Sequence, residues 1–152
     1  MSKWCHQTHE VEFHECDLGR GVHNSVYFTW FERARFQIAK DAGLMDYIML
    51  DNTANIVSND LKKNSEVIIF PVLEAECKYI HTIHMGAKVI IRTKLERPKV
   101  ARLVFHHVVT DAKTGEDYCI GKTTVGVVSS TRGLMMNLDG DIKVLIDQYL
   151  NM

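Results

Sequence analysis

The chain has 152 residues, 46% of them apolar and 24% charged, which suits one globular core spanning 1–152 and is too short to expect a second domain. A formal net charge of -1 excludes any global electrostatic case for nucleic acid or an anionic membrane surface, so an anionic ligand must meet a local patch. With no apolar leader at the start, no run near the roughly 18 apolar residues of a membrane span, and Cys5, Cys16, Cys77 and Cys119 scattered without a C-x-x-C pair, the composition predicts a soluble cytoplasmic protein with reduced thiols.

In chain order, "EVEFHECD" (Glu10 to Asp17) alternates, with Val11 and Phe13 opposite Glu10, Glu12 and His14, and predicts a half-buried strand. A turn with Gly19 and Gly21 follows. From about Ser25 to Ala42, Tyr27, Phe31, Ala34 and Ile38 recur at three and four, and Gly43 is placed as a C-cap; this predicts a long helix. Val26, Phe28, Trp30 and Phe36 widen its apolar stripe, so the helix is expected to be central. Residues 44 to 69 read as a loop with one or two helical turns. After Pro71, four segments rich in Val, Ile, Thr and aromatics follow, broken at Met85-Gly86, Arg97-Pro98 and "AKTGE"; they predict an antiparallel meander. Behind Asp139 or Asp141, the spacing of Ile142, Leu145, Ile146 and Tyr149 predicts a short amphipathic helix. The outline is an α+β domain in which a curved antiparallel sheet wraps one long helix.

The junction "ECDLGRGVHNSVYFTWFERAR" (Glu15 to Arg35) holds the candidate chemistry. A dinucleotide fingerprint fails there, because the third small residue of G-x-G-x-x-G would fall on Asn24 and the β-rich half offers no βαβ units. Metal binding is not expected either: His106 and His107 face opposite ways along one strand, as do His81 and His84. What remains is a carboxylate, Asp17, at a strand end, facing the unpaired N–H groups of a helix N-terminus. Helix N–H groups can hold a substrate carbonyl while the acid attacks it or activates water. On residue types alone the plainer reading, Asp17 as a turn residue and Asn24 as an N-cap, stays open.

The stretch from Asp17 to Arg35 resembles the hotdog-fold acyl-CoA thioesterases, specifically the 4-hydroxybenzoyl-CoA thioesterase-like group. The resemblance rests on Asp17, Gly21-Val22-His23-Asn24, Tyr27 ten residues after the acid, and Phe31-Glu32-Arg33-Ala34-Arg35 on the helix. It departs from the usual pattern at Arg20 and Gly21, and His23 falls one place short of the histidine seen in some relatives. The resemblance implies a hotdog fold, Asp17 as the catalytic carboxylate, and the Asn24 backbone N–H as the group polarising the thioester carbonyl. It implies further that His23, Tyr27 and Trp30 help shape the substrate site; for the two aromatic residues, core packing is the alternative. Glu32 stands where another branch carries its catalytic Glu, and a structural role in the helix is expected of it here.

Lys88, Arg92 and Lys94 share a strand face by even spacing, and Arg92 and Lys94 are candidates for the phosphates of coenzyme A. A solvated hairpin explains the same residues. The implied activity is hydrolysis of an acyl- or aroyl-CoA thioester by a homodimer or homotetramer without metal or redox cofactor, with an acyl-carrier-protein thioester as the other substrate source. The fold also hosts acyl-CoA hydratases and dehydratases and could serve as a non-catalytic binding module.

Overall fold

A computed structural model describes residues 3–18, 21–47 and 67–152. The first strand, β1 (Trp4–Glu10), precedes the predicted one. "WCHQTHE" is poor in strand formers, so its extended state comes from pairing along its whole length with a later strand. The alternation expected over Glu10 to Asp17 does not persist as a strand: Val11 is buried, Phe13–Glu15 is a 3-10 turn, and Phe13 is 77% exposed. The reason lies in Glu15, whose carboxylate accepts the Glu12 N–H at 2.8 Å and folds the segment into a turn. Two residues of strand survive, β2 (Cys16–Asp17), paired with β3 (Gly21–Val22).

The helix α1 (Val26–Asp41) follows the expected spacing and buries Tyr27, Trp30, Phe31, Ala34 and Ile38. Each large side chain removed from water this way contributes roughly 1.5–3 kcal/mol. Of the residues that widen its stripe, Trp30 is fully enclosed, Val26 and Phe28 are partly buried, and Phe36 is 47% exposed. Gly43, at φ +81, stops the helix: its N–H reaches Lys40 O at 3.1 Å and the Leu44 N–H reaches Ala39 O at 2.8 Å, a Schellman termination. A helical turn at 45–47 matches part of the loop reading for 44 to 69; residues 48–66 lie outside the described residues.

After a short strand β4 (Ile68–Ile69), the four long strands are β5 (Val72–Tyr79), β6 (Lys88–Leu95), β7 (Arg102–Asp111) and β8 (Asp117–Gly126). Their sheet order is β1-β6-β7-β8-β5, fully antiparallel. Only β6 to β8 form a meander, which corrects the expectation of a hairpin at Met85-Gly86. There the chain instead crosses from one sheet edge to the other end of the order. Ile83 is fully buried on the way, and the crossing is held by Val22 N–H to Ile83 O (2.8 Å) and by Gly86 N–H to Val11 O (2.9 Å). A small sheet of β4, β9 (Val128–Ser129) and β10 (Gly133–Leu134) follows.

The C-terminal helix (Gly140–Leu150) begins after Asp139, as its spacing predicts, and buries Ile142, Ile146 and Tyr149. The Asp139 carboxylate does not cap it but pairs with Arg132 at 2.9 Å. The core has two parts: one under the N-terminal half of α1, around Trp30 and Phe31, and one under its C-terminal half, closed by the C-terminal helix. Among the described residues, no helix is long and apolar enough to cross a membrane.

Candidate functional site

Asp17 ends β2 and pairs with Gly21 of β3, so strand, turn and helix meet within a few residues. Gly21 has φ +98, and a Cβ there would stand 2.5 Å from a Thr82 methyl and 2.6 Å from Ile83 O. This glycine therefore admits the crossing segment's backbone against the turn, a role in assembling the site rather than in touching a ligand. The next residue, Val22, donates to Ile83 O, and the His23 N–H donates to Glu15 O at 2.8 Å. Those bonds fix the path into α1.

At the helix entrance the Val26 N–H reaches His23 O (3.0 Å) and the Phe28 N–H reaches Ser25 O (3.2 Å). The Asn24 N–H has no partner among the described residues. Asn24 does not cap the helix; that position belongs to Ser25, whose side chain makes no cap bond either. The Asn24 carbonyl accepts the Tyr79 hydroxyl at 3.0 Å, which ties the end of β5 to this turn. Unpaired N–H groups at the start of a sixteen-residue helix carry the positive end of its dipole, so a carbonyl oxygen gaining negative charge is favoured there.

His23 lies between Asp17 and Ser25. Its Nδ1 accepts the Ser25 N–H at 3.2 Å and stands 2.7 Å from Ser25 Oγ. Because a backbone N–H only donates, the neutral ring carries its proton on Nε2. That nitrogen faces Asp17 Oδ1 at 3.7 Å, and both side chains are about half exposed. Asp17, His23 and Asn24 are thus brought together at an accessible surface.

Beneath them lies a buried carboxylate. Glu15 is 6% exposed and accepts from His9 Nε2 at 2.7 Å, Trp30 Nε1 at 2.7 Å and the Glu12 N–H. Burial raises its pKa, but those three bonds together outweigh burial and hold it below the usual carboxylate range. Trp30 is consequently a core residue, its indole N–H committed to Glu15. Tyr27 is buried as well, its ring edge-on to Trp30 (5.2 Å) and to Tyr79 (5.1 Å), and burial pushes its hydroxyl far above the ordinary range.

Arg92 and Lys94 lie apart from this cluster. Val89, Ile91, Thr93 and Leu95 of β6 are buried under α1, so Arg92 and Lys94 point to the other sheet face. There both stack over the Trp4 ring, at 5.5 and 4.9 Å, and Arg92 pairs with Asp117 at 3.6 Å. Glu32 is exposed and lines the mouth of an apolar cavity of about 400 Å³ with Arg35, Phe36, Ala39, Phe70 and Val72. No group of three His, Cys, Asp or Glu side chains able to hold a metal occurs among the described residues.

Glu15, Ser25 and Tyr79 were not among the sequence candidates. Parity along "EVEFHECD" offers a signal for Glu15, since it falls on the side of Val11 and Phe13. Nothing local marks Tyr79, which meets Asn24 only through the fold.

The pattern of the thioesterase-like superfamily matches residues 11–145. A protein of Synechocystis sp. (strain ATCC 27184 / PCC 6803 / Kazusa), sll0410, named provisionally as an esterase, is 25% identical over 134 residues, covering 88% of this chain and 72% of that one. Among solved structures, a 1,4-dihydroxy-2-naphthoyl-CoA thioesterase from Synechocystis superposes with TM-score 0.73 at 10% identity, covering 98% of this chain and 96% of that one. A DHNA-CoA thioesterase from Staphylococcus aureus gives 0.70 at 21% identity, with 96% and 88% covered. A gentisyl-coenzyme A thioesterase gives 0.69 at 16%, with 97% and 100% covered. By the span of that family match, and by a long helix on a curved antiparallel sheet, this chain belongs to the thioesterase-like superfamily and is a thioester hydrolase of the hotdog fold.

Proposed function

We propose that the protein hydrolyses an acyl- or aroyl-CoA thioester to the free acid and coenzyme A at the entrance of α1. One observation carries this reading: the carboxylate of Asp17 stands 3.7 Å from the ring of His23, at a helix N-terminus whose Asn24 N–H has no partner among the described residues. The thioester carbonyl accepts from the Asn24 N–H, and the helix dipole favours the charge that gathers on its oxygen. Asp17 attacks the carbonyl carbon or takes a proton from an attacking water, and coenzyme A leaves as the thiol. His23, with its tautomer set by Ser25, presents Nε2–H to Asp17 and steers the carboxylate.

The apolar cavity is the acyl site in this reading, supplied by a second copy of the chain. β5 is a sheet edge whose Val72 end lines the cavity and whose Tyr79 end bonds to Asn24. Pairing two β5 strands antiparallel about a two-fold sets Tyr79 of one copy beside Val72 of the other, so each Asn24 faces the other copy's cavity. Homodimer is thus the smallest complete unit, and a homotetramer is a pair of these. Four free cysteines support a cytoplasmic setting. Arg92 and Lys94 lie on the sheet face away from this entrance, over Trp4.

The test is a panel of acyl-CoA thioesters followed by release of free thiol. Asp17→Asn that stays folded is expected to lose about a thousand-fold in turnover. Hydrolysis equal to the unmodified protein across the panel would overturn the mechanism, and consumption of enoyl-CoA without thiol release would favour hydration instead.

A further inference from the structure

Two of the four cysteines sit face to face. Cys77 on β5 is directly opposite Gly121 of β8, and Tyr79 is directly opposite Cys119, so the two cysteines are diagonal neighbours on one face of the strand pair. Both side chains point to the helix side of the sheet, and their Sγ atoms are 3.1 Å apart. Cys119 is fully buried, while Cys77 is half-buried at the sheet edge. The thiols therefore differ in access but share a line of approach.

We propose that Cys77 and Cys119 form a site of reversible oxidation, at which hydrogen peroxide converts the two thiols into a disulfide joining β5 to β8. A disulfide needs an S–S separation of about 2.0 Å, so the sulfurs must close by about 1 Å. Within a single chain β5 is paired on one side only, so the strand can give where no second copy is seated on it. The Cys77 thiolate attacks one peroxide oxygen, the O–O bond breaks, and hydroxide leaves, so Cys77 becomes the sulfenic acid. Cys119 sulfur then attacks the Cys77 sulfur and the S–O bond breaks. The Cys119 proton goes with the departing hydroxide as water. In sum two thiols lose two electrons and one peroxide becomes two waters.

The order of attack follows from the surroundings. Cys77 opens at the sheet edge while Cys119 is enclosed, so peroxide reaches Cys77 first; the hydrogen bond between the two thiols also draws Cys77 below the ordinary cysteine range against the effect of burial. The same contact, with burial, pushes Cys119 far above it. Cys77 is the attacking sulfur and Cys119 the resolving one. The closed bond would fix β5 two residues before Tyr79, whose hydroxyl holds the Asn24 carbonyl.

The proposal does not rest on the thioesterase reading, and its test uses no substrate. The reduced chain is treated with hydrogen peroxide, quenched with an alkylating agent under denaturing conditions, and mapped by mass spectrometry. Expected are a fall from four free thiols to two, a mass lower by two hydrogens, a cross-link between the Cys77 and Cys119 peptides within one chain, and full reversal by dithiothreitol. In Cys119→Ser, Cys77 should instead gain oxygen with no cross-link. Both thiols remaining free, a cross-link between chains, or oxygenated Cys77 beside free Cys119 in the unmodified chain would overturn the proposal.

Discussion

Glu15 shows how one side chain can organise a site it does not enter. Its carboxylate collects bonds from His9, Trp30 and the Glu12 N–H, and its own carbonyl holds the His23 N–H. Glu15→Ala would leave the indole N–H and a backbone N–H without partners, at a cost of about 3 kcal/mol. On the usual scaling for a chain of this size, that lowers Tm by roughly 9 °C; a scan within a degree of the unmodified protein would refute the account. The sign with pH follows from its depressed pKa. The stabilisation is full above the usual carboxylate range and is lost as pH falls through the lower folded value, a loss that Glu15→Ala should not show. Parity put Glu15 on the side of Val11, but a charged residue in an alternating segment reads as solvent-facing, and the turn that buries it is one that it closes itself. The offsets of Asp17, Asn24 and Tyr27 made their nearness around the helix entrance legible, while their roles belong to the proposal. His23 was legible as a residue but not as Asp17's neighbour, because its orientation depends on Ser25.

At the scale of elements, α1 could be read directly, since apolar spacing and Gly43 act within a few residues. The strand order could not. β5 pairs with β8, with β6 and β7 lying between them in the chain, and β1 is a strand because β6 is there to receive it. The packing of α1 on this sheet also makes Gly121 irreplaceable. A Cβ at that position would fall 2.4 Å from the Phe31 ring. Phe31 is enclosed and stacked at 4.2 Å on His107, so it has no free direction of retreat. Gly121→Ala should therefore destabilise by about 3 kcal/mol through overpacking, read as a lower midpoint in urea with unchanged slope. Midpoints that coincide would show that the ring moves aside freely.

For the whole molecule, the proposed two-copy site and the pH response make separate predictions. Val72→Asp, at the exposed β5 edge, should halve the sedimenting mass and lower thioester turnover together, because each Asn24 loses the other copy's cavity. A monomer of full activity would refute the shared site. The acid response below neutrality should come largely from His107. Burial first, with Arg35 and His106 adding to it, pushes that ring down to about 3, whereas the unfolded chain takes up the proton near the ordinary histidine value. The unfolded state binds more protons between those values, so stability falls as pH drops, by about 2 kcal/mol at pH 5. His107→Gln should flatten unfolding free energy against pH between 7 and 5; an unchanged slope would assign the effect elsewhere.

The same histidine has a consequence for how the sheet chooses its alignment. Its Nδ1 meets Thr93 of β6 at 2.8 Å and its Nε2 meets Thr123 of β8 at 3.0 Å, all three side chains buried. Sliding β7 by two residues would keep every apolar side chain on its proper face, and hydrophobic burial alone would barely resist it. Such a slip would strand both ring nitrogens in the core, at about 1–3 kcal/mol each. The polar row thus works as a ratchet: oil holds the layers together, and an imidazole between two hydroxyls tells the three central strands where to stop.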